Sequence, residues 1–216
     1  MKVIGISGSG RKNGYSTKIV KDMLGEITCE TEFFSLAGKS INGCRGCLQC
    51  TKDNICVQKD DFQEIINKVI EVDAVIFAGP NYYGIVNAIS VAFWERTFCL
   101  RHQEKFLLAG KLAVAVGLDR EVNGPALQHI KKMMNSNKMA IVDTFTNVGN
   151  YQCFDCTYGH DCKVGNVYPI LGKCTPEQAE QNRPKEYSED ITAKKGAKDI
   201  GRLLDSILSG RENNEV

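Results

Sequence analysis

The chain has 216 residues, 43% of them hydrophobic, and 27 Lys and Arg stand against 26 Asp and Glu. That length buries a full core in one domain with room for insertions, and the near-zero net charge argues against nucleic acid or a polyanionic surface as partner. No apolar run approaches a membrane span, and ten cysteines behind an N-terminus that reads as a strand rather than a signal peptide point to a reducing cytoplasm.

Val3-Ile4-Gly5-Ile6 is a short strand, apolar on both faces as buried parallel strands are. It runs into Ser7-Gly8-Ser9-Gly10-Arg11-Lys12-Asn13-Gly14-Tyr15-Ser16-Thr17, and a helix is predicted over Ser16–Gly25. A strand, a Gly/Ser turn and a helix start make an anion site, because backbone N–H groups and the positive end of the helix dipole face the ligand. Hydroxyls of Ser7, Ser9, Ser16 and Thr17 add donors and Arg11 adds charge. The Walker pattern fails because Gly14-Tyr15-Ser16 lacks its Lys. The dinucleotide pattern fails on glycine spacing, and the second strand, Thr31–Ser35, ends without an acidic residue for a ribose. A hydroxyl-rich loop suits a monophosphate.

Beyond the second strand lies the densest chemistry in the chain, Cys44-x2-Cys47-x2-Cys50-x5-Cys56. A disulfide uses two of these thiols, whereas a tetrahedral zinc or an iron–sulfur cluster uses all four. Three cysteines at x2, x2 spacing with a fourth soon after are similar to ferredoxin-type ligation, with x5 in place of x3 and no following proline. An iron–sulfur cluster is favoured, with zinc and reduced or paired thiols as alternatives. A helix follows over Asp60–Ile70, its apolar face formed by Phe62, Ile65, Ile66 and Val69, with Asp60 or Asp61 as cap.

Val72–Ala78 is the third strand, leading to Gly79-Pro80-Asn81-Tyr82-Tyr83-Gly84, a turn that lets backbone N–H groups reach a ring edge while an aromatic lies near its face. The competing reading is that Tyr82 and Tyr83 merely cover the core. A helix over Val86–Cys99 carries Trp94, read as core or subunit contact. The fourth strand, Lys111–Val116, leads to the loop from Gly117 to Pro125, in which Arg120 either meets a ligand or pairs with Glu121. Pro125 opens a helix that runs to about Ser136, and Ala140–Thr146 is the fifth strand. The insertion that follows holds Cys153, Cys156, Cys162 and Cys174 with His160, and disulfide, zinc and a second cluster all stay open there. His102 and His129 read as surface or packing residues. Residues from Thr175 to Glu189 read as a polar surface connection, Ile191–Leu208 as a last amphipathic helix, and those after Gly210 as a frayed tail.

The expected architecture is a three-layer α/β sandwich on a five-stranded parallel sheet of order 2-1-3-4-5, one domain over 1–216 with insertions at about 38–60 and 150–187. The turns SGSGRKNGYST, PNYYG and GLDREVNG, in that order, resemble the flavodoxin-like NAD(P)H-dependent FMN reductase family, and the Cys run after strand two is similar to its iron–sulfur flavoprotein branch. The resemblance covers roughly residues 1–148 and the last helix. It implies an FMN phosphate on Ser7, Ser9, Arg11, Gly14, Ser16 and Thr17. It places the flavin ring against Pro80, Asn81, Tyr82, Tyr83 and Gly84, with Gly117 and Arg120 nearby. It further implies a [4Fe-4S] cluster on Cys44, Cys47, Cys50 and Cys56, a ferredoxin or NAD(P)H as donor, and a homodimer or homotetramer. No side chain is assigned as catalytic, since the cofactors carry the chemistry. The insertion at 150–176 is not part of that pattern and is expected beside the flavin.

Overall fold

The computed structural model describes residues 1–149, 152–156 and 158–212. The central elements are β1 (Lys2–Ser7), α1 (Tyr15–Leu24), β2 (Glu30–Ser35), α2 (Phe62–Glu71), β3 (Ala74–Tyr82), β4 (Ile85–Val86), α3 (Ala88–Arg96), β5 (Leu112–Leu118), α4 (Pro125–Ser136) and β6 (Ala140–Asn147). Short helices α5 (Gln152–Asp155), α6 (Tyr168–Leu171) and α7 (Pro176–Gln181) follow, and then the long α8 (Ile191–Glu212). The parallel path is β2-β1-β3-β5-β6, the order expected from the sequence, and β4 pairs antiparallel with the end of β3.

Alternation along the strands explains the three layers. Ile4, Ile6, Val75, Phe77, Ala113 and Ala115 point to one face, where α2, α3 and α4 supply Phe62, Ile65, Phe93, Trp94, Leu127 and Ile130. Val3, Ala74, Ile76, Leu112, Val114 and Val116 point to the other, against Ile19, Val20 and Met23 of α1 and Leu204 and Leu208 of α8. A sheet covered on both faces needs strands that are apolar throughout, which is the pattern β1, β3 and β5 carry. Trp94 is a core residue, 3% exposed and 5.0 Å from the Phe77 ring.

Several boundaries differ from the sequence expectation. β3 runs on to Tyr82, because Gly79 and Pro80 stay in register with Gly117 and Leu118 instead of ending the strand. Val86, expected to open a helix, is used by β4, so α3 starts at Ala88 and gives way to a 3-10 turn over Thr97–Leu100. The expected surface connection after residue 174 contains α7, begun by a capping box in which Thr175 Oγ1 accepts from the Gln178 N–H and Gln178 Oε1 accepts from the Thr175 N–H. Its end is also not surface: Tyr187 is 2% exposed and donates to Asp22 Oδ2 on α1 at 2.9 Å. The last helix continues to Glu212, so Arg211 and Glu212 are helical where a tail was expected. The rest of that tail, like Asn150, Tyr151 and Thr157 of the insertion, lies outside the described residues.

Candidate functional site

Parallel register brings the carboxyl ends of β1, β3, β5 and β6 to one edge, and the loops there bond to each other. The Gly8 N–H donates to Ala78 O at 2.7 Å, and Gly8 O accepts from Asn87 Nδ2 at 2.8 Å and Ser90 Oγ at 3.3 Å. Asn87 and Ser90, at the start of α3, are buried residues that the sequence reading did not single out. A Cβ on Gly8 would lie 2.0 Å from Ser90 Oγ, so only glycine lets the loop settle there. Ser7, Ser9, Ser16 and Thr17 are all buried, and Thr17 Oγ1 donates to Ser7 Oγ at 3.0 Å. Ser16 Oγ is buried with no hydrogen-bond partner. Gly14 stands at the N-cap of α1 with no side-chain cap bond, so first-turn N–H groups also lack an intrachain acceptor. A buried hydroxyl without a partner at a helix start fits a bound phosphate.

The turn after β3 is a two-residue hairpin between Tyr82 and Ile85, with Tyr83 at φ 54° and Gly84 at φ 82°. Positive φ at both central residues is the type I′ geometry that suits the twist of paired strands. Gly84 adopts it freely, while Tyr83 carries a strain on the order of 1 kcal/mol. Tyr83 does not cover the core; it is fully exposed, and Tyr82 is 46% exposed. Asn81 holds the turn: its Oδ1 accepts from the Gly84 N–H at 3.0 Å and its Nδ2 donates to Asp119 Oδ1 at 2.8 Å.

Asp119 is the hub of the edge. It is 3% exposed, and its two oxygens accept from the Ala126 and Leu127 N–H groups at the start of α4, each at 3.0 Å. One carboxylate thereby satisfies a helix start, complements its dipole and ties the Pro80–Gly84 turn to the loop after β5. Gly117 ends β5 in register with Gly79. Arg120 does not pair with Glu121 but donates to Asn166 Oδ1 in the insertion.

Cys44, Cys47, Cys50 and Cys56 line one concavity, together with Arg96 and Cys99. Among the described residues, no three Cys, His, Asp or Glu side chains close on one point as the ligands of a single ion do. These four thiols instead stand around a common hollow, with Cys50 half-buried against the core. Burial, followed by the neighbouring thiols of Cys56, Cys47 and Cys44, raises the Cys50 pKa, so ionising all four calls for a compensating positive centre. Burial pushes Cys99 up to about 12, with Cys56 and Cys50 adding to it, so the fifth cysteine stays a protonated thiol.

Arg96 organises this loop. Its side chain is fully buried and bidentate to Asp60, with Nη1–Oδ2 at 2.8 Å and Nη2–Oδ1 at 3.2 Å. It also donates to Asn42 O at 3.0 Å and Gln58 O at 3.4 Å, one carbonyl on each side of the cysteine run. Burial works against its charge, but the Asp60 hydrogen bond and the facing Cys56 hold the guanidinium above its ordinary pKa. Its Nε is buried without a hydrogen-bond partner, which suits a donor beside cluster sulfur. Asp60 and Asp61, expected mainly as caps of α2, serve the loop as well: Asp60 Oδ2 accepts from the Asn42 N–H at 3.0 Å and Asp61 Oδ2 from the Ser40 N–H at 2.6 Å. His102, read from sequence as a surface or packing residue, has Nε2 3.2 Å from Cys50 Sγ, and its own N–H donates to Asn54 Oδ1 at 2.8 Å. Its separation from Cys50 in sequence hides that contact.

The insertion touches each loop of the sheet edge. Asp155 pairs with Arg11 at 3.7 Å, Gln152 Nε2 donates to Tyr82 Oη at 3.3 Å, and Asn166 accepts from Arg120. Arg11 therefore faces the insertion as well as the phosphate loop. Cys153 Sγ accepts from the Asn166 N–H at 3.1 Å, and Cys174 Sγ donates to His160 O at 3.6 Å.

Comparison with known proteins agrees with this geometry. A family model described as NADPH-dependent FMN reductase matches residues 1–152. A solved flavodoxin from the domain Archaea superposes with a TM-score of 0.52 at 12% identity, covering 97% of this chain and 99% of that one. The fold is thus flavodoxin-like, and the chain is an FMN-dependent oxidoreductase. An iron–sulfur flavoprotein of Methanocaldococcus jannaschii is 39% identical over 138 residues, 62% of this chain and 70% of that protein. One from Methanosarcina thermophila is 30% identical over 155 residues, 69% of this chain and 81% of that protein. The chain belongs to the iron–sulfur flavoprotein branch of the NADPH-dependent FMN reductase family. The Cys153–Cys174 segment lies beyond the residues that the family model matches.

Proposed function

We propose that the chain transfers electrons between an FMN at the sheet edge and a [4Fe-4S] cluster on Cys44, Cys47, Cys50 and Cys56. Bound together, the two groups exchange two-electron for one-electron chemistry. The protein contributes position and field. Ser7, Ser9, Ser16 and Thr17, with first-turn N–H groups of α1 and Arg11, hold the phosphate. Pro80–Gly84 lies along the ring, with Gly117 and Arg120 beside it. Arg96 holds both ends of the cysteine loop and offsets thiolate charge.

The observation that carries this reading is α3, which serves both sites. Asn87 and Ser90 at its start hold Gly8 O. At its end Glu95 Oε2 accepts from the Cys44 N–H at 3.3 Å and Arg96 bonds across the loop. The rise from Ser90 to Arg96 is about 9 Å, so one rigid turn-and-a-half fixes the two cofactor cradles relative to each other. A reduced ferredoxin or NAD(P)H is the donor that the family membership supports, in a reducing cytoplasm, with a small acceptor. Leu48, Ile55, Val57 and Phe98, exposed around the cysteine loop, support contact with a second copy in a homodimer or homotetramer.

The test is metal, sulfide and flavin content of anaerobically purified wild type and Cys50→Ala. Loss of iron and sulfide from the first set with FMN retained supports the proposal. Zinc in place of iron on these cysteines would make the protein a flavin reductase with a structural metal.

A further inference from the structure

The second cysteine set belongs to a lobe that has almost no core of its own. Among the described residues, neither of the two hydrophobic core clusters includes any residue from 148 to 186. Val167 and Ala179 are the buried apolar side chains there, while Tyr158, Val164 and Ile170 are 77%, 96% and 58% exposed. Its helices are single turns or little more. A segment of this size folds stably only with a staple, because it cannot bury enough apolar surface to offset the entropy of ordering it. The polar contacts present, such as Arg183 to Asp155 at 2.7 Å and to Phe154 O at 2.8 Å, lie near the surface and are weak substitutes for a core.

The four cysteines are where such a staple would act. Cys153 and Cys156 stand one helical turn apart, and Cys162 closes a tight turn in which the Gly165 N–H donates to Cys162 O at 3.0 Å. That turn packs onto Cys153: a Cβ built on Gly165 would lie 3.3 Å from Cys153 Sγ and 3.4 Å from Cys162 Cβ. The next N–H, of Asn166, donates to Cys153 Sγ. A backbone N–H aimed at sulfur stabilises the thiolate form, the form that ligates metal. Cys174 is tied back to the same lobe through His160 O.

We infer that Cys153, Cys156, Cys162 and Cys174 form a second, thiolate metal centre that staples this lobe over the flavin edge. The all-sulfur donor set selects a thiophilic centre, zinc or iron–sulfur, over a hard oxygen-seeking ion. Binding replaces four S–H bonds by four metal–sulfur bonds and releases the thiol protons, with no change of oxidation state in the protein. Cys156, which is exposed, must turn inward to join the others.

The test uses the full chain, purified anaerobically. Zinc, iron and sulfide per chain are measured for wild type, Cys153→Ser/Cys162→Ser and Cys44→Ser/Cys47→Ser. The inference expects wild type to hold two centres, and each double variant to lose one and keep the other. Loss of zinc or of iron with sulfide in the Cys153→Ser/Cys162→Ser variant supports it equally and names the metal. Identical metal content in that variant and in wild type overturns it. If the variant does not fold, native wild type is alkylated with and without a chelator and mapped by mass spectrometry. Protection of all four cysteines that chelation removes supports the centre. Alkylation at full rate without chelator, or blocking that yields only to a reductant as a disulfide does, overturns it. Absence of FMN from wild type would defeat the flavin proposal and leave this one standing.

Discussion

Replacing Arg96 with methionine removes a guanidinium whose side chain is fully buried and leaves the Asp60 carboxylate, 5% exposed, without its counter-charge. Breaking a buried pair by deleting one partner costs about 3–5 kcal/mol, chiefly the penalty for the stranded charge. Asn42 O and Gln58 O lose their donor as well. Against a total stability on the order of 5–15 kcal/mol, that is a large share. The double variant Arg96→Met/Asp60→Asn removes both charges and should recover at least about 2 kcal/mol of the loss, since neutral replacements of buried pairs are often near neutral. Urea unfolding of the metal-stripped chain, followed by circular dichroism across the four proteins of the cycle, measures this directly. The single variant should also retain less iron, because the ends of the cysteine loop are no longer held. A single variant within about 1 kcal/mol of wild type, or a double variant as unstable as the sum of the singles, would refute the bracing role.

The same pair sets an acid limit. Burial alone would raise the Asp60 pKa, but its bonds to Arg96 and the Asn42 N–H outweigh that and hold it below the usual carboxylate range. A depressed folded pKa contributes stability that is complete above the unfolded value of about 3.9 and is lost as pH falls through the folded one. Stability of wild type should therefore drop more steeply below about pH 4 than that of Asp60→Asn, and equal slopes in acid unfolding would count against it. Asp119→Ala should cost about 2–4 kcal/mol, from the lost acceptor at the start of α4 and the stranded Asn81 amide, and should weaken FMN binding. Stability unchanged in urea would remove Asp119 from its place at the hub. Ser9→Ala with Thr17→Ala should weaken FMN by at least about 100-fold, at 1.5–3 kcal/mol for each bond to a charged group, while leaving riboflavin affinity unchanged. Equal loss for riboflavin would mean the loop does not hold the phosphate.

What could be read in the sequence follows the physics of each part. β1, β3 and β5 were legible because strands covered on both faces are apolar throughout. The phosphate loop and the first cysteine run were legible because their chemistry is local. β4 was not, since two residues carry no periodicity. Arg96, His102 and Asp119 act through partners distant in the chain: Arg96 on Asp60, His102 on Cys50, Asp119 on Asn81. Nothing near each residue announces the contact. Thr175-Pro176-Glu177-Gln178 did carry a capping-box signal, but the prolines on either side of α7 read more strongly as a loop.

The central claim, that FMN and a cluster on Cys44–Cys56 work as one unit, is tested most directly by anaerobic reductive titration of wild type and Cys50→Ala, with iron counted in both. Both proteins should hold FMN, and wild type should exceed the variant by about four irons and one electron per chain. Equal electron uptake by the two proteins, with zinc on the first cysteine set, would contradict the claim.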